Sequence, residues 1–181
     1  TTEDQVSGTT ALLIAVSPVN ERIVWVSGAR GTYLRTSDGG ATWHAAQVKG
    51  AEHLQFRDVH AESENVAWLL SIGPADSSRI YYTQDAGQSW TLQFTNPVPT
   101  AFYDCLSFWD QRRGIANSDA VEGKTMVITT GDGGAHWTPI PPARLPAALP
   151  GEGSLAASGT CVITRPEGHA WIAVTGTKAR L

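Results

Sequence analysis

An octad that occurs three times constrains this chain more than any other feature. Thr36-Ser-Asp38-Gly-Gly40-Ala-Thr42-Trp43 returns as Thr83-Gln-Asp85-Ala-Gly87-Gln-Ser89-Trp90 and as Thr130-Gly-Asp132-Gly-Gly134-Ala-His136-Trp137. The aspartates stand at 38, 85 and 132, two equal intervals of 47 residues, so one structural unit is being reused. The residue types describe a tight turn between strands. Asp accepts hydrogen bonds from nearby backbone amides, Gly supplies positive φ, and Trp opens the next strand by packing over the turn. Asp38, Gly40, Trp43, Asp85, Gly87, Trp90, Asp132, Gly134 and Trp137 are therefore expected to be structural. One carboxylate per turn lacks the oxygen cluster that Ca²⁺ needs.

Strand-like runs flank every octad. Around the first lie Ile23 to Ser27, Thr32 to Arg35 and Trp43 to Val48. The second repeat has Leu54 to His60, Asn65 to Ser71, Arg79 to Thr83 and Trp90 to Thr95; the third has Tyr103 to Trp109, Arg113 to Asn117, Thr125 to Thr129 and Trp137 to Ile140. Four antiparallel strands per unit of this length predict an all-β fold, a β-propeller. We read one partial propeller of about three and a half blades: about 10–50, 51–97, 98–142 and, after the Pro-rich connector 139–150, an incomplete fourth over about 151–181. Trp25, Trp68 and Trp171 take equivalent places in their repeats and Ile115 takes that place in the third, a column expected to pack blade against blade. Ala179-Arg180-Leu181 aligns with Tyr33-Leu34-Arg35, just before an octad. The expectation is a fragment, a truncation or a hand-placed boundary, with an unpaired edge that needs a partner or further chain.

Composition narrows the function classes. Thirteen basic and seventeen acidic side chains give a formal net charge of -4, which offers no basic field for nucleic acid. The apolar runs Ala11 to Val16 and Ala170 to Val174 fall far short of the ~20 residues of a membrane-spanning helix. The chain opens Thr-Thr-Glu-Asp with neither Met nor a basic-then-apolar leader, which suits a mature or trimmed protein. Cys105 and Cys161 sit in apolar strand-like flanks and are expected to be free core thiols. A bridge would need Cα atoms within about 7 Å, and neighbouring blades splay apart.

The octads and the segments between them resemble the Asp-box (BNR) propellers of the photosystem II stability/assembly factor-like family, which includes bacterial secreted relatives labelled oxidoreductase-like. Beyond the octads the resemblance rests on Phe56-Arg57-Asp58, on Phe108-Trp109-Asp110 followed by Gly114 to Asp119, and on Ala156 to Thr160 leading to His169-Ala170-Trp171. It implies a noncatalytic propeller that docks another protein, as an assembly factor does, with a seven-bladed parent and a periplasmic or secreted location. Two half-propellers pairing into one ring is a further expectation. An oxidoreductase role has no support, because no strand-Gly-x-Gly-x-x-Gly-helix unit and no haem or iron–sulfur cysteine pattern is present; no cofactor is expected.

In a propeller the loop entering the inner strand and the loop between second and third strands open onto one face, and the octad turns lie on the other. Partners are expected on the first face, where the candidates are Arg57, Asp58, Tyr103, Asp104 and Ser158, with loop residues Arg30, Asp76, Asp119, Glu122 and Lys178. Arg57-Asp58 and Tyr103-Asp104 read as matching repeat positions, their carboxylates either aimed into the central channel or capping strand ends and pairing across blades. The alternative function is a carbohydrate-active or carbohydrate-binding propeller. It needs two carboxylates about 5 to 5.5 Å apart for retention or about 6.5 to 9.5 Å for inversion, and Asp58 with Asp104 is the pair to nominate, beside Tyr103. A sialidase site is disfavoured, since Arg57, Arg113 and Arg165 do not sit at equal depths. The histidines at 44, 53, 60, 136 and 169 show no paired spacing, so no metal site is expected, and no Gly-x-Ser-x-Gly or Walker-type loop appears.

Overall fold

A computed structural model of the chain describes residues 2–157 and 159–181. Three antiparallel sheets of four strands follow one another along the chain. The first holds β1 (Leu13–Pro18), β2 (Val24–Gly28), β3 (Thr32–Thr36) and β4 (His44–Gln47); the second β5 (Gln55–Ala61), β6 (Ala67–Ile72), β7 (Arg79–Thr83) and β8 (Thr91–Thr95). The third holds β9 (Tyr103–Phe108), β10 (Gly114–Val121), β11 (Lys124–Thr130) and β12 (Thr138–Pro139), and β13 (Val162–Arg165) with β14 (His169–Ile172) begins a fourth. Strands pair in sequence order with no crossover, and the first strand of each sheet is innermost. This is an arc of a β-propeller.

Every octad forms the turn between third and fourth strands, with the same bonding in all three. In the first, Thr36 Oγ1 donates to Asp38 Oδ1 (2.8 Å) and receives the Gly40 N–H (2.9 Å). Asp38 Oδ1 in turn receives the Thr42 N–H (2.9 Å), and Oδ2 the Thr42 hydroxyl (2.6 Å). Thr83, Asp85 and Ser89 repeat the pattern. In the third octad His136 supplies both groups, its N–H to Asp132 Oδ1 (2.9 Å) and its ring Nδ1 to Oδ2 (2.7 Å). These bonds favour the ionised carboxylate and hold both residues down at about 2, through the Thr42 hydroxyl first at Asp38 and through the His136 backbone N–H first, then its ring, at Asp132.

Register makes the repeats superimposable. Trp25 lies opposite Ser17, Trp68 opposite His60, Ile115 opposite Ser107 and Trp171 opposite Ile163. Two residues before these partners stand Ala15, Asp58, Cys105 and Cys161, which are therefore one repeat position. Each blade turns one face to the next. Trp25 and Tyr33 pack against Phe56, Val59, Leu69 and Tyr81, and the Trp25 indole N–H reaches Ser63 O (3.1 Å). Trp68 stacks on Phe108 at 3.8 Å between ring centres and donates to Gly133 O (3.1 Å). Cys105, Ile115 and Val127 meet Cys161 and Val162. Burying aromatic rings of this size dominates the packing energy.

Two expectations need correction. Trp25 and Trp68 are fully buried, but Trp171 is 41% exposed, because no sheet among the described residues packs beyond β14. Cys105 and Cys161 are not free thiols; they form a disulfide, with Cα atoms 5.8 Å apart. Blades splay at their outer strands but converge at their inner ones, and equivalent positions on neighbouring inner strands come within bridging reach.

Candidate functional site

At the upper ends of the inner strands, β5 and β9 each carry a bulge. Phe56 pairs with Ser71 and Asp58 with Leu70, leaving Arg57 as the extra residue; Cys105 pairs with Asn117 and Tyr103 with Ser118, leaving Asp104. Bulges re-aim side chains. Arg57 and Asp104 are thus the equivalent pair, while Asp58 matches Cys105. The pairing of Asp58 with Asp104 read from the sequence is off by one residue.

Asp58 links blade two to blade three much as Cys105 links blade three to blade four. Its Oδ1 receives the Val59 N–H and its Oδ2 the Leu106 N–H, both at 2.7 Å. The residue is 1% exposed, and burial pushes its carboxyl up to about 8 against the pull of those two amides. Asp104, also 1% exposed, is raised to about 8 by burial first and the negative charge of Asp119 second. Its Oδ2 is buried without a partner of its own. Burial beside the Asp119 carboxylate favours the protonated form of Asp104, whose proton would then be shared toward Asp119. Asp119 is raised too, chiefly by burial, and its Oδ1 receives the Ser154 N–H (2.9 Å).

The chain from 152 to 157, with Gly159, lies across these groups. Arg57 donates through its terminal nitrogen to Ala156 O and through Nε to Gln55 Oε1, both at 2.9 Å. A Cβ at Gly159 would collide with the Asp58 carboxylate, and one at Gly153 with that of Asp119, so only glycine admits this approach. Asn117 Nδ2 donates to Ser154 Oγ (2.7 Å), which itself donates to Ala173 O (3.1 Å). The buried Glu152 is ion-paired with Arg180, and its Oε2 receives the Leu149 N–H (2.8 Å). Arg57, Asp58 and Asp119 act as fasteners of backbone, and Asp104 lies buried beside Asp119. Asp58 and Asp104 are closed off from solvent, so they do not form the open carboxylate pair that the carbohydrate reading requires.

The other candidates lie apart. Tyr103 is 2% exposed and packs edge-on against Phe94, 5.2 Å between centres, inside the junction of blades two and three rather than in the channel. Burial raises its hydroxyl to about 12. Arg30, Asp76, Glu122 and Lys178 are exposed on loops of the same end of the molecule; Arg30 donates to Thr10 Oγ1 (3.1 Å) and Asp76 pairs with Arg79. Ser158 lies outside the described residues.

Sequence reasoning missed a second polar row at the opposite mouth. Ser17 Oγ receives the Ala61 N–H (3.0 Å), His60 Nδ1 receives the Phe108 N–H (3.4 Å), and Ser107 Oγ lies 3.0 Å from Thr164 Oγ1. Each stitches one inner strand to the next. Alternation along the strands, two residues past the Ala15 position, was the available signal. Burial drives His60 down to about 4, so it is neutral with its proton on Nε2. His60, Ser107 and Thr164 line an open cleft of about 660 Å³ whose rim mixes Glu62 and Glu167 with Arg113 and Arg165. Among the described residues no three His, Cys, Asp or Glu side chains gather as metal ligands, and no helix is long and apolar enough to cross a membrane.

No family model matches the chain. It is 23% identical over 135 residues to a photosystem II stability/assembly factor, HCF136, of Arabidopsis thaliana chloroplasts, covering 72% of this chain and 31% of that protein. The solved structure of YCF48 from Cyanidioschyzon merolae is similar with a TM-score of 0.60 and 18% identity, over 88% of this chain and 49% of that one. A second, YCF48 bound to D1 peptide, gives 0.58 and 21% over 72% and 41%. The chain spans about a third of the curated relative and less than half of each solved structure. What it shares with them is the fold, an arc of a β-propeller.

Proposed function

We propose that this chain is a noncatalytic scaffold that docks another protein on the face carrying the loops 29–31, 73–78, 121–124 and 176–179. The observation that carries the reading is the fate of the carboxyls beneath that face. Asp58, Asp119 and Glu152 are spent on backbone amides or on Arg180 and Asp104 is buried beside Asp119, which fixes a platform and leaves no open pair of carboxyls beneath the face. Above it Arg30, Asp76, Glu122 and Lys178 remain exposed, charged groups of both signs suited to a polar protein surface. Similarity to a propeller solved with a bound peptide supports a protein partner in general. In this reading the octads are Asp-box turns with a structural role only. The buried disulfide supports a periplasmic or secreted location, where such bonds persist.

Photo-crosslinking in cells tests the docking face. A photoreactive residue at Glu122 or Lys178 should capture a discrete protein, while the same residue at Gln88 or His136 on the octad face should not. Capture only from the octad face, or from neither, overturns the proposal.

A further inference from the structure

We infer that the connector between blades three and four is a docking module for an acidic protein segment that carries a large apolar side chain. The inference rests on the docking role proposed above and gives that face a centre and a partner chemistry. Length singles the connector out. Between the outer strand of one blade and the inner strand of the next, the chain uses residues 48–54 and 96–102 at the first two junctions but residues 140–161 at the third. Loops of such length are either functional or slack. This one is not slack. Ala147 bridges to Lys124, the Ala148 N–H donates to Gly123 O (3.3 Å), the Ala120 N–H reaches Glu152 O (3.2 Å), and Gly153 bridges to Thr175. The buried Glu152 carboxylate is ion-paired with Arg180, whose guanidinium also donates to Ala147 O (3.0 Å). The connector thereby joins the loops 121–124 and 176–179 into one layer over the upper strand ends of blades three and four, not on the sheet faces that bound the arc.

What this layer exposes is basic and apolar. Lys124, Arg144 and Lys178 are exposed and belong to no ion pair among the described residues, against one exposed acid, Glu122. The three cations gather around Ala147: Lys124 bridges to it, Arg144 stands three residues before it, and Lys178 stands two residues before the Arg180 that holds its carbonyl. The chain as a whole carries a net charge of -4, so a local excess of cations runs against its own average and suits an acidic partner. Leu155 supplies the apolar contact. It is 72% exposed, yet the backbone on either side is fixed, by the Ser154 N–H on Asp119 Oδ1 (2.9 Å) and by Arg57 on Ala156 O (2.9 Å). A large side chain held out on a rigid backbone loses little freedom on binding, which is the condition for an anchor. One leucine with these cations is too little for a stable hold on a lipid surface, where even a single acyl chain binds marginally. A protein segment with acids beside an apolar residue matches both halves of the patch.

Random peptides displayed on phage, selected on the intact chain at low ionic strength and then synthesised with a fluorophore, supply the probe. The selected peptides should be net acidic and carry a large aliphatic or aromatic residue. Their dissociation constants should rise by about tenfold or more when Lys124→Glu, Arg144→Glu and Lys178→Glu are combined, by about tenfold with Leu155→Ser, and steeply with added salt. Arg30→Glu, on the blade-one part of the same face, and Gln88→Ala, on the octad face, should leave them within about twofold. All of these side chains are exposed, and circular dichroism checks that each variant is folded. Selected peptides that are basic or uncharged, affinities indifferent to the triple reversal, a selection that yields no peptide, or charge-dependent binding of phosphatidylserine vesicles in place of peptide would each overturn the inference. Binding that moves with Arg30→Glu instead leaves the docking face standing with a different centre; binding that moves only with Gln88→Ala removes the docking role as well.

Discussion

At the scale of single residues, two opposed sets of carboxyls set the pH response. Asp38 and Asp132 titrate at about 2, below an unfolded value near ~3.9, so the stability they contribute is present above that value and is lost as pH falls through about 2. Asp58 and Asp104 are raised to about 8, so their contribution is complete below ~3.9 and is lost as pH rises through about 8. Greatest stability is therefore expected on the acid side of neutrality. Asp104→Asn should match the parent melting temperature below about pH 3.9 and exceed it by a margin that widens up to about pH 8, because an amide can donate to Asp119 without titrating. Asp58→Asn should melt lower at pH 5, because one of the Val59 and Leu106 amides loses its acceptor at a cost of about 1–3 kcal/mol. Equal pH profiles for parent and Asp104→Asn would remove the shared proton. That these residues matter was legible from their place in the repeat; what they do was not. The bulges at Arg57 and Asp104 shift the inner strands by one residue, and a bulge leaves no mark in the alternation of either strand alone.

Elements were the most legible level. The octads fix where the third strand of each sheet ends and the fourth begins, and the runs on either side are long enough to pair. What stayed hidden was contact between sheets, since the register of one inner strand against the next is written in neither. Hence the disulfide was misjudged, and hence Tyr103, an apparent channel residue, turned out to fill a junction. The disulfide closes a loop of 56 residues between β9 and the start of β13. Constraining the unfolded chain over that length is worth about 4 kcal/mol on the loop-entropy model. Among the described residues the two strands of blade four are also held by Val162 against Ile115 and Val127 and by Thr164, which donates to Phe108 O (2.7 Å). Cys161→Ser should accordingly raise amide exchange across 162–172 by orders of magnitude while leaving 55–83 near parent values. Uniform loss of protection over all four sheets would show that blade four is not a separate cooperative unit.

Over the whole molecule, the arc is close to a linear array in which sheets pack on their neighbours, with the segment leading into blade four adding a bond from Arg57 of blade two to Ala156 O, so stability should follow largely from sheets and junctions in series. Two buried tryptophans in equivalent places make this testable. Trp25 closes the junction of blades one and two, and Trp68 that of blades two and three. Replacing either by Ala removes a fully buried indole and costs about 3–5 kcal/mol. Equal costs at different places in the series have different reach. Trp25→Ala should loosen blade one alone, because blades two to four keep their own junctions and the disulfide. Trp68→Ala should cut the array in the middle and separate a two-blade half from a half stapled by Cys105–Cys161. Urea unfolding followed by hydrogen exchange in each sheet should then show one early-exchanging sheet in the first variant and two halves with distinct midpoints in the second. Coincident midpoints for all sheets in both variants would mean that the channel-lining bonds from Ser17, Asp58, His60 and Ser107 couple the inner strands strongly enough to make the arc a single folding unit.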